Sequence, residues 1–354
     1  MKAVGKDFLR ENNRKLALNV IHQHSPLSRT QIVNETGLNK VTISRVVNGL
    51  IKKGLVREGE PTASNGGRPQ VMIRLVPDSR YAIGIDVGIY HVKAGICDLS
   101  GSVVLDITKE IASPLTGNGL IWVIEGAVAE LLEKSKVKKD KLLGAGVSIL
   151  GAVDADKGII KSSFILSEKD VALKDGLEEK LKMDVLVDRD ANAGLFYERF
   201  MGKGKDADDI LFVYTRNNEK GELGIGCSLL LGGRIYRGTN YFAGEIGLAR
   251  GAEDEISRLF SFDGTASLLD AAVAEKVGEV IAFIVNLLNP KLVIIGGDFS
   301  AAGQKFLDPV EESARRHIFD FSTKNIRIES SKVNGDSGIK AAAFMAIAVA
   351  MGYK

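Results

Sequence analysis

The sequence predicts two folded parts of different class, a small helical head followed by a larger α/β body. The chain has 354 residues, more than the roughly 100–200 residues that one domain usually contains. Residues 1–80 carry 14 Lys and Arg against 6 Asp and Glu, a net +8, whereas the remaining 33 basic and 39 acidic residues give the rest of the chain −6. At Tyr81 the apolar pattern changes from helical periodicity to strands separated by glycine turns. A basic head on an acidic body is typical of a nucleic-acid-binding module joined to a second function.

The head predicts a helix-turn-helix. An apolar stripe marks a first helix from Phe8 to His24, Ser28 is a candidate N-cap for a short second helix that ends at Gly37, and a third helix follows from Asn39 or Lys40 to about Lys53. The last helix of such a unit enters the DNA major groove. Its candidate DNA contacts are Lys40, Thr42, Ser44 and Arg45. A plain three-helix bundle with a solvated polar face would show the same pattern.

The next segment predicts a β-wing. Leu55–Arg57 and Val71–Leu75 are typical of two strands, and a glycine-rich tip from Pro61 to Pro69 lies between them. Arg68, in an extended Gly-Arg-Pro sequence, is a candidate for insertion into a narrow minor groove. The alternative is a flexible linker with an incidental arginine. The helix-turn-helix, the wing and the +8 charge together favour binding to double-stranded DNA.

Other classes of protein are disfavoured by composition. Two cysteines, Cys97 and Cys227, are too few for a disulfide framework or a cysteine-rich zinc site. The longest apolar run, Ala341–Met351, is shorter than the roughly 18 residues of a membrane span. Asp7 and Glu11 stand where a signal peptide would be apolar. We therefore expect a soluble, cytoplasmic chain with no membrane partner.

The body predicts two half-domains built on one plan and facing each other across a cleft. Strands at Tyr81–Val87 and Ile210–Tyr214 each precede a returning strand, a glycine turn and a helix. The fragments Ala94–Cys97 and Ile225–Ser228 are alike, although this internal similarity alone is weak.

Five stretches of the body carry a resemblance to a known family. They are Gly84–Gly88, Gly146–Val153, Asp188–Ala193, Ala243–Gly247 and Val293–Gly297. By these motifs, and by the Gly-Arg-Pro sequence of the wing, the chain resembles the ROK family of repressors, open reading frames and sugar kinases over about residues 80–350. The resemblance implies a winged helix-turn-helix domain (1–78) followed by a two-lobed actin-like, ribonuclease-H-like ATPase fold. The first lobe would comprise 79–190 with a C-terminal helix at about 336–354, and the second 191–335.

The resemblance also implies a sugar site. Asp190 occupies the position of the aspartate that, in the family's kinases, takes the proton from the attacking sugar hydroxyl, although a carboxylate there could also cap the following helix. Glu245, between glycines, is the second expected sugar contact. Arg189 stands where the family has a sugar-binding asparagine, so the resemblance does not indicate which sugar hydroxyls this site recognises.

Two further family features are altered. The zinc-binding histidine after the glutamate motif is Leu248 here, and residues 249–269 contain no Cys or His, so we expect no metal. The nucleotide site is expected to be vestigial, because Ile89 and Tyr90 replace the glycine and threonine of its first phosphate turn. Its retained positions are Asp86, Gly88, Gly224, Gly226, Gly296 and Gly297.

These features predict a sugar-responsive DNA-binding regulator without a cofactor, a repressor of carbohydrate-utilisation genes. A symmetric operator and the family imply a homodimer or homotetramer. The effector would be a monosaccharide or derivative of glucose, mannose, xylose or amino-sugar type. The alternative is an ATP-dependent sugar kinase of glucose, mannose or N-acetylglucosamine type, with Asp190 as general base and Mg²⁺ near Asp86. A repressor without small-molecule input is a third interpretation.

Overall fold

The computed structural model describes residues 6–61, 70–217, 223–246, 271–297, 300, 303–320, 325–331 and 337–353. The elements of the head are α1 (Lys6–His24), β1 (Leu27–Ser28), α2 (Arg29–Thr36), α3 (Lys40–Lys52), β2 (Val56–Pro61) and β3 (Val71–Leu75). β3 lies between β1 and β2 in an antiparallel sheet. The head is therefore a helix-turn-helix followed by a β-hairpin, as predicted, and the tip of the hairpin, with Arg68, lies outside the described residues.

Local chemistry sets the ends of α2 and α3. The Ser28 hydroxyl accepts from the Gln31 amide while the Gln31 side chain accepts from the Ser28 amide, a reciprocal capping box. Gly37 ends α2 in the left-handed region, at φ 67°. Asn39 Oδ1 then accepts from the Thr42 amide at 2.8 Å and begins α3. The turn between the two helices is thus specified by residues within it.

The first lobe is built on a five-stranded sheet. Its elements are β4 (Tyr81–Val87), β5 (His91–Asp98), β6 (Val103–Glu110), α4 (Gly117–Ser135), β7 (Leu142–Ile149), β8 (Ala152–Asp154), β9 (Ile159–Ser162), α5 (Leu173–Leu181) and β10 (Val185–Arg189). The sheet order is β10-β7-β4-β5-β6, with β4, β5 and β6 antiparallel and β4, β7 and β10 parallel. α4 and α5 cover one face of this sheet with a continuous apolar core.

The second lobe repeats this plan after the helix α6 (Asp190–Phe200). Its elements are β11 (Ile210–Asn217), β12 (Leu223–Leu231), β13 (Arg234–Tyr236), α7 (Ala271–Leu288), β14 (Leu292–Gly297), α8 (Gln304–His317) and β15 (Arg327–Ser330). The order is β13-β12-β11-β14-β15, again an antiparallel meander with two parallel strands beyond its first strand. The two half-domains share one topology, as the sequence predicts.

The helices α6 and α9 (Ser337–Met351) connect the parts of the molecule. α6 contacts strands of both sheets, and α9 packs on the first sheet and on α6. A Cβ at Gly84 would lie 2.0 Å from the Ile339 carbonyl oxygen, and one at Gly146 would lie 1.9 Å from that of Ala342. Glycine is therefore required at both strand positions for α9 to lie directly on the sheet.

The head and the first lobe share one hydrophobic core. Leu18 and Ile21 of α1 are buried in the same cluster as Phe344 of α9 and the following Tyr353. The cluster also holds residues of α3 and of the wing. The head is thus packed against the C-terminal helix and is not a module on a free linker.

No helix within the described ranges combines the length and the apolar composition of a membrane span.

Candidate DNA interface and interlobe site

The outer face of α3 is formed by residues at helical spacing. Its exposed members are Lys40, Val41, Ser44, Arg45 and Asn48. The buried residues Ile43, Val47 and Leu50 lie on the opposite side. α3 therefore presents an exposed basic and polar face while its apolar stripe holds it in the head, which is the arrangement of a DNA-reading helix.

The predicted DNA contacts do not all lie equally on this face. Lys40, Ser44 and Arg45 are exposed, whereas Thr42 is half-buried and its amide is used by the Asn39 cap. Val41 and Asn48 were not among the residues predicted from the sequence. The signal that identifies them is their spacing of three, four and seven residues from the other members of the face.

Arg29 braces this face. Its Nη1 donates to Glu58 Oε1 at 2.7 Å, and its Nη2 donates to Asn48 Oδ1 at 2.8 Å. One side chain of α2 thus connects α3 with the wing strand β2. The contacts are exposed and contribute little to stability, but they orient Asn48 and the wing relative to the reading helix.

The second candidate site begins where β10 enters α6. Arg189 is the N-cap of α6, but its side chain makes no capping hydrogen bond. Asp190 is the first helical residue and is buried, and its Oδ1 accepts from the Ala191 amide at 2.7 Å. Asp190 therefore does not occupy the N-cap position, which corrects the alternative that it caps α6. The helix already begins at Asp190, one residue earlier than a cap at Asp190 would require, so Arg189 is the N-cap.

The buried Arg189 and the half-buried Glu245 form an ion pair between the lobes. Arg189 is only 2% exposed, and its Nη1 donates to Glu245 Oε1 at 2.7 Å while Nη2 donates to the Cys227 carbonyl. Its Nε is buried and has no acceptor among the described residues. Gly244 permits this approach, since a Cβ there would lie 2.9 Å from Arg189 Nη2. Two of the three predicted sugar residues thus bind each other in this structure.

The charge of Asp190 also acts on this pair. Burial raises the pKa of Glu245 above its usual range; the Arg189 guanidinium opposes the rise, and the charge of Asp190 adds to it. Glu245 is therefore a partly desolvated carboxylate that is paired with a cation and influenced by the charge of a second carboxylate. Such a group accepts strong hydrogen bonds from hydroxyl donors.

A second polar connection between the lobes was not predicted from the sequence. Arg237, after β13, donates to Asp188 Oδ2. Asp188 Oδ1 accepts from Asn192 Nδ2 at 2.9 Å, and Asn192 Oδ1 accepts from Ser228 Oγ at 2.6 Å. Asp188 and Asn192 stand four residues apart around Asp190, and this spacing is the only local signal for the network. It holds the β10–α6 turn against the second lobe.

Protein side chains pack against the residues predicted to form the phosphate side of the cleft. Asp86 Oδ1 accepts from Ser148 Oγ at 2.9 Å, and α9 begins directly against it, since a Cβ at Gly338 would lie 2.3 Å from Asp86 Cγ. At Gly88 a Cβ would lie 2.7 Å from His91 Nε2, so the imidazole covers the backbone that should admit phosphate.

The remaining nucleotide-side glycines lie in the second lobe. Gly224 and Gly226 are paired within the ladder of β11 and β12. The ring of Phe212 packs against Gly296, with Phe212 Cζ 2.7 Å from a Cβ placed there. Gly297 and Asp190 line the same small interlobe cavity. Within the described ranges no three side chains of metal-ligating type converge, and Leu248 and the stretch after it lie outside those ranges.

Comparison with known proteins assigns the chain to a family. Residues 82–255 and 248–349 match the model described as ROK family, and residues 12–64 match the model described as MarR family. The chain belongs to the ROK family. The resemblance and the fold class predicted from the sequence are therefore confirmed, with an N-terminal helix-turn-helix followed by the actin-like ROK fold.

Two relatives carry the names of regulators. The xylose repressor of Bacillus subtilis strain 168 is 32% identical over 250 residues, which cover 70% of this chain and 62% of that protein. The chain thus spans less than two thirds of this ROK relative. The DNA-binding transcriptional dual regulator NagC of Escherichia coli strain K12 is 24% identical over 385 residues, covering 96% of this chain and 93% of that protein.

Solved structures show the same fold. A ROK family transcriptional regulator, a homologue of the Escherichia coli MLC protein, aligns with a TM-score of 0.75 at 18% identity over 97% of each chain. A ROK family glucokinase from Streptomyces griseus, in complex with glucose and AMPPNP, aligns with a TM-score of 0.60 at 22% identity over 75% of this chain and 98% of that one.

Proposed function

We propose that this chain is a sugar-responsive, DNA-binding transcriptional repressor of carbohydrate-utilisation genes. α3 reads a double-stranded operator, and a monosaccharide or derivative binds between the lobes. The observation that carries the proposal is the core shared by the head and α9, because it joins an exposed reading helix to the lobes that enclose Asp190 and Glu245. The names of the relatives, a xylose repressor and the regulator NagC, support the same function.

The effector replaces contacts of the Arg189–Glu245 pair. Asp190 and Glu245 accept hydrogen bonds from sugar hydroxyls, and Arg189 donates to ring or hydroxyl oxygens. Because the ion pair already satisfies most of these groups, a sugar can bind only by offering equivalent hydrogen bonds. A xylose-type pentose and an N-acetylglucosamine-type sugar both satisfy this requirement, and the names of the two relatives support both.

A packed aromatic route couples the cleft to the head. Asp190 begins α6, and Tyr197 and Phe200 on the same helix pack on Phe344 of α9, with ring centroids 5.5 and 6.3 Å apart. Phe344 in turn stacks on His22 of α1 at 6.2 Å. A shift of α6 when the lobes close therefore reaches α1, and through it the spacing of two reading helices on a symmetric operator.

The proposal includes no cofactor, zinc or nucleotide. The family's kinases imply ATP and Mg²⁺, but His91 lies over Gly88 in the altered phosphate turn, and Phe212 lies against Gly296, a second predicted nucleotide position, so these residues do not fit a bound nucleotide. No phosphoryl transfer is assigned to Asp190. Its carboxylate acts in this proposal only as a hydrogen-bond acceptor.

The repressor acts in the cytoplasm, without a membrane partner, as a homodimer or homotetramer. A single reading helix covers one half-site, so a symmetric operator needs two copies. Phe283 and Leu287 of α7 and Phe319 after α8 are each more than 60% exposed, and the Phe319 amide donates to Asn286 Oδ1 on the same face of α7. Such an apolar patch supports self-association. Sedimentation velocity of the wild type and of Leu287→Glu will measure the oligomeric state of each.

The decisive experiment measures DNA binding of the full chain to its own upstream region, titrated with glucose, mannose, xylose and N-acetylglucosamine. We expect salt-sensitive binding that exceeds binding to unrelated DNA of equal length, and about a tenfold change in affinity with one sugar. Absence of sequence-selective binding would overturn the proposal. If the chain binds its own upstream DNA selectively but no sugar changes the affinity, the protein is a repressor without small-molecule input. If the chain turns over ATP in the presence of a sugar, and Asp190→Asn abolishes this turnover, the sugar-kinase interpretation replaces the proposed function.

A further inference from the structure

One exposed apolar side chain lies on the outer face of α3. Val41, in the first turn, is 69% exposed. Single exposed apolar residues are ordinary on protein surfaces, so exposure alone argues nothing. The position is what matters, because its neighbours on this face are the polar residues Ser44, Arg45 and Asn48.

Helical geometry places Val41 near the middle of that face. At about 100° per residue, Val41 lies about 40° from Arg45 and about 20° from Asn48 around the helix axis, but about 180° from the buried Leu50. The apolar stripe of α3 therefore cannot take up Val41. If α3 enters a major groove, the side chain of Val41 is directed at the base edges and not at the phosphates on either side.

The structure also holds this turn of the helix in place. The Asn39 cap fixes the backbone at Thr42, one residue beyond Val41. The brace from Arg29 occupies Asn48 Oδ1 at the other end of the face. A β-branched side chain on a capped helix has little rotamer freedom, so Val41 presents a rigid apolar surface.

We infer that Val41 contacts the C5-methyl group of a thymine in each operator half-site and so specifies thymine at that position. This inference rests on the proposed DNA-binding function. The thymine methyl is the one apolar feature of the base edges in the major groove, and small apolar side chains recognise it. A valine makes no hydrogen bond to any other base edge. Lys40 and Arg45, on either side of Val41, supply the charge that draws this face towards the phosphates.

The test removes the C5-methyl group from the DNA side of the contact and both γ-methyl groups of Val41 from the protein side. The operator is first located by footprinting of the upstream region, and each thymine is then replaced in turn by deoxyuridine, which lacks only the methyl. We expect one such replacement per half-site to weaken wild-type binding by about three- to tenfold, the effect of one buried methyl group. Val41→Ala should weaken binding to the unmodified operator by a similar factor and should be insensitive to that same replacement.

Matched variants separate this contact from general effects. Val41→Thr keeps a branched methyl and should retain sensitivity to the replacement. Val104→Ala removes an exposed valine in the first lobe and should bind as wild type does. If Val41→Ala weakens binding equally to both operators, or if no deoxyuridine affects the wild type, the inference is overturned while DNA binding stands. If the wild type binds no DNA selectively, both the inference and the proposed function fail.

Discussion

Two seams join the parts of this molecule, and their chemistry differs. The head seam, between α1 and α9, consists of Leu18, Ile21, His22, Phe344 and Tyr353. The cleft seam, between the lobes, consists of the pairs Arg189–Glu245, Arg237–Asp188 and Ser228–Asn192. The first seam is apolar and aromatic around one imidazole, and the second is made of charges and hydrogen bonds.

This difference indicates which seam a ligand can change. Packed rings offer no partner to a hydroxyl group, so the head seam transmits movement without binding the effector. Ion pairs and hydrogen bonds can be exchanged for those of a sugar at small net cost. We therefore expect the head and the first lobe to move as one body when the cleft seam rearranges.

The largest effect should come from opening the head seam. Phe344 is fully buried, so Phe344→Ala should lower the free energy of unfolding by about 3–5 kcal/mol through lost packing and a cavity. Denaturant unfolding measures this loss. Phe319→Ala, at a side chain 71% exposed, should change it by no more than about 0.5 kcal/mol. Equal losses in the two variants would show that the head is not packed against α9.

Breaking the cleft seam should cost less and should alter ligand binding. Glu245→Gln leaves the buried Arg189 cation with a neutral partner, and we expect a loss of about 2–3 kcal/mol because a hydrogen bond survives while the charge pair does not. Sugar affinity, measured by calorimetry, should fall with it. Glu311→Gln breaks the exposed pair with Arg315 and serves as the control. A sugar response unchanged in Glu245→Gln would remove this residue from the site.

The polar group of the head seam can be tested by pH. Burial lowers the pKa of His22 below its usual 6.5, and the charge of Lys205 adds to the decrease, while the hydrogen bond to the Leu99 carbonyl opposes it. The unfolded chain therefore binds a proton that the folded chain rejects. The free energy of unfolding should fall as the pH drops below about 6.5, by up to about 1.4 kcal/mol per pH unit.

His22→Gln isolates this dependence. The amide can replace the hydrogen bonds to Leu99 and Tyr353 but does not titrate. Its free energy of unfolding, measured beside the wild type from about pH 7.5 to about pH 5, should show a smaller slope. Parallel curves for the two proteins would mean that His22 is not the titrating group.

The smallest effect should come from the cap of α3. Asn39→Ala removes the side chain that accepts from the Thr42 amide and should cost about 1 kcal/mol. Because the head shares a core with α9, the loss should appear in the unfolding of the whole first lobe, followed by near-ultraviolet dichroism. Ser44→Ala, on the outer face of the same helix, should leave stability unchanged. A separate early transition in Asn39→Ala would contradict the shared core.

The sequence predicted those features that neighbouring residues determine. Capping residues and a glycine in the left-handed region mark the turn between α2 and α3, and the structure shows both. Period-two and helical patterns identified the repeated plan of the body. Asp190 was named from the family motif Asp188–Ala193; the structure places it where β10 meets α6, and its role as a sugar contact stays a prediction. Strand limits were less certain, since β11 extends to Asn217 and not to Tyr214.

Only the tertiary structure decided how these elements meet. Arg189 and Glu245 stand 56 residues apart, and His22 and Tyr353 stand 331 apart, so no local pattern indicates that they touch. Packing decides three further features in the same way. They are the position of His91 over Gly88, the exposure of Val41 and the Arg237–Asp188 contact. Periodicity and capping depend on residues that are close in the chain, so they can be predicted from the sequence. Contacts across a seam depend on burial and hydrogen bonding in the assembled fold, so they cannot.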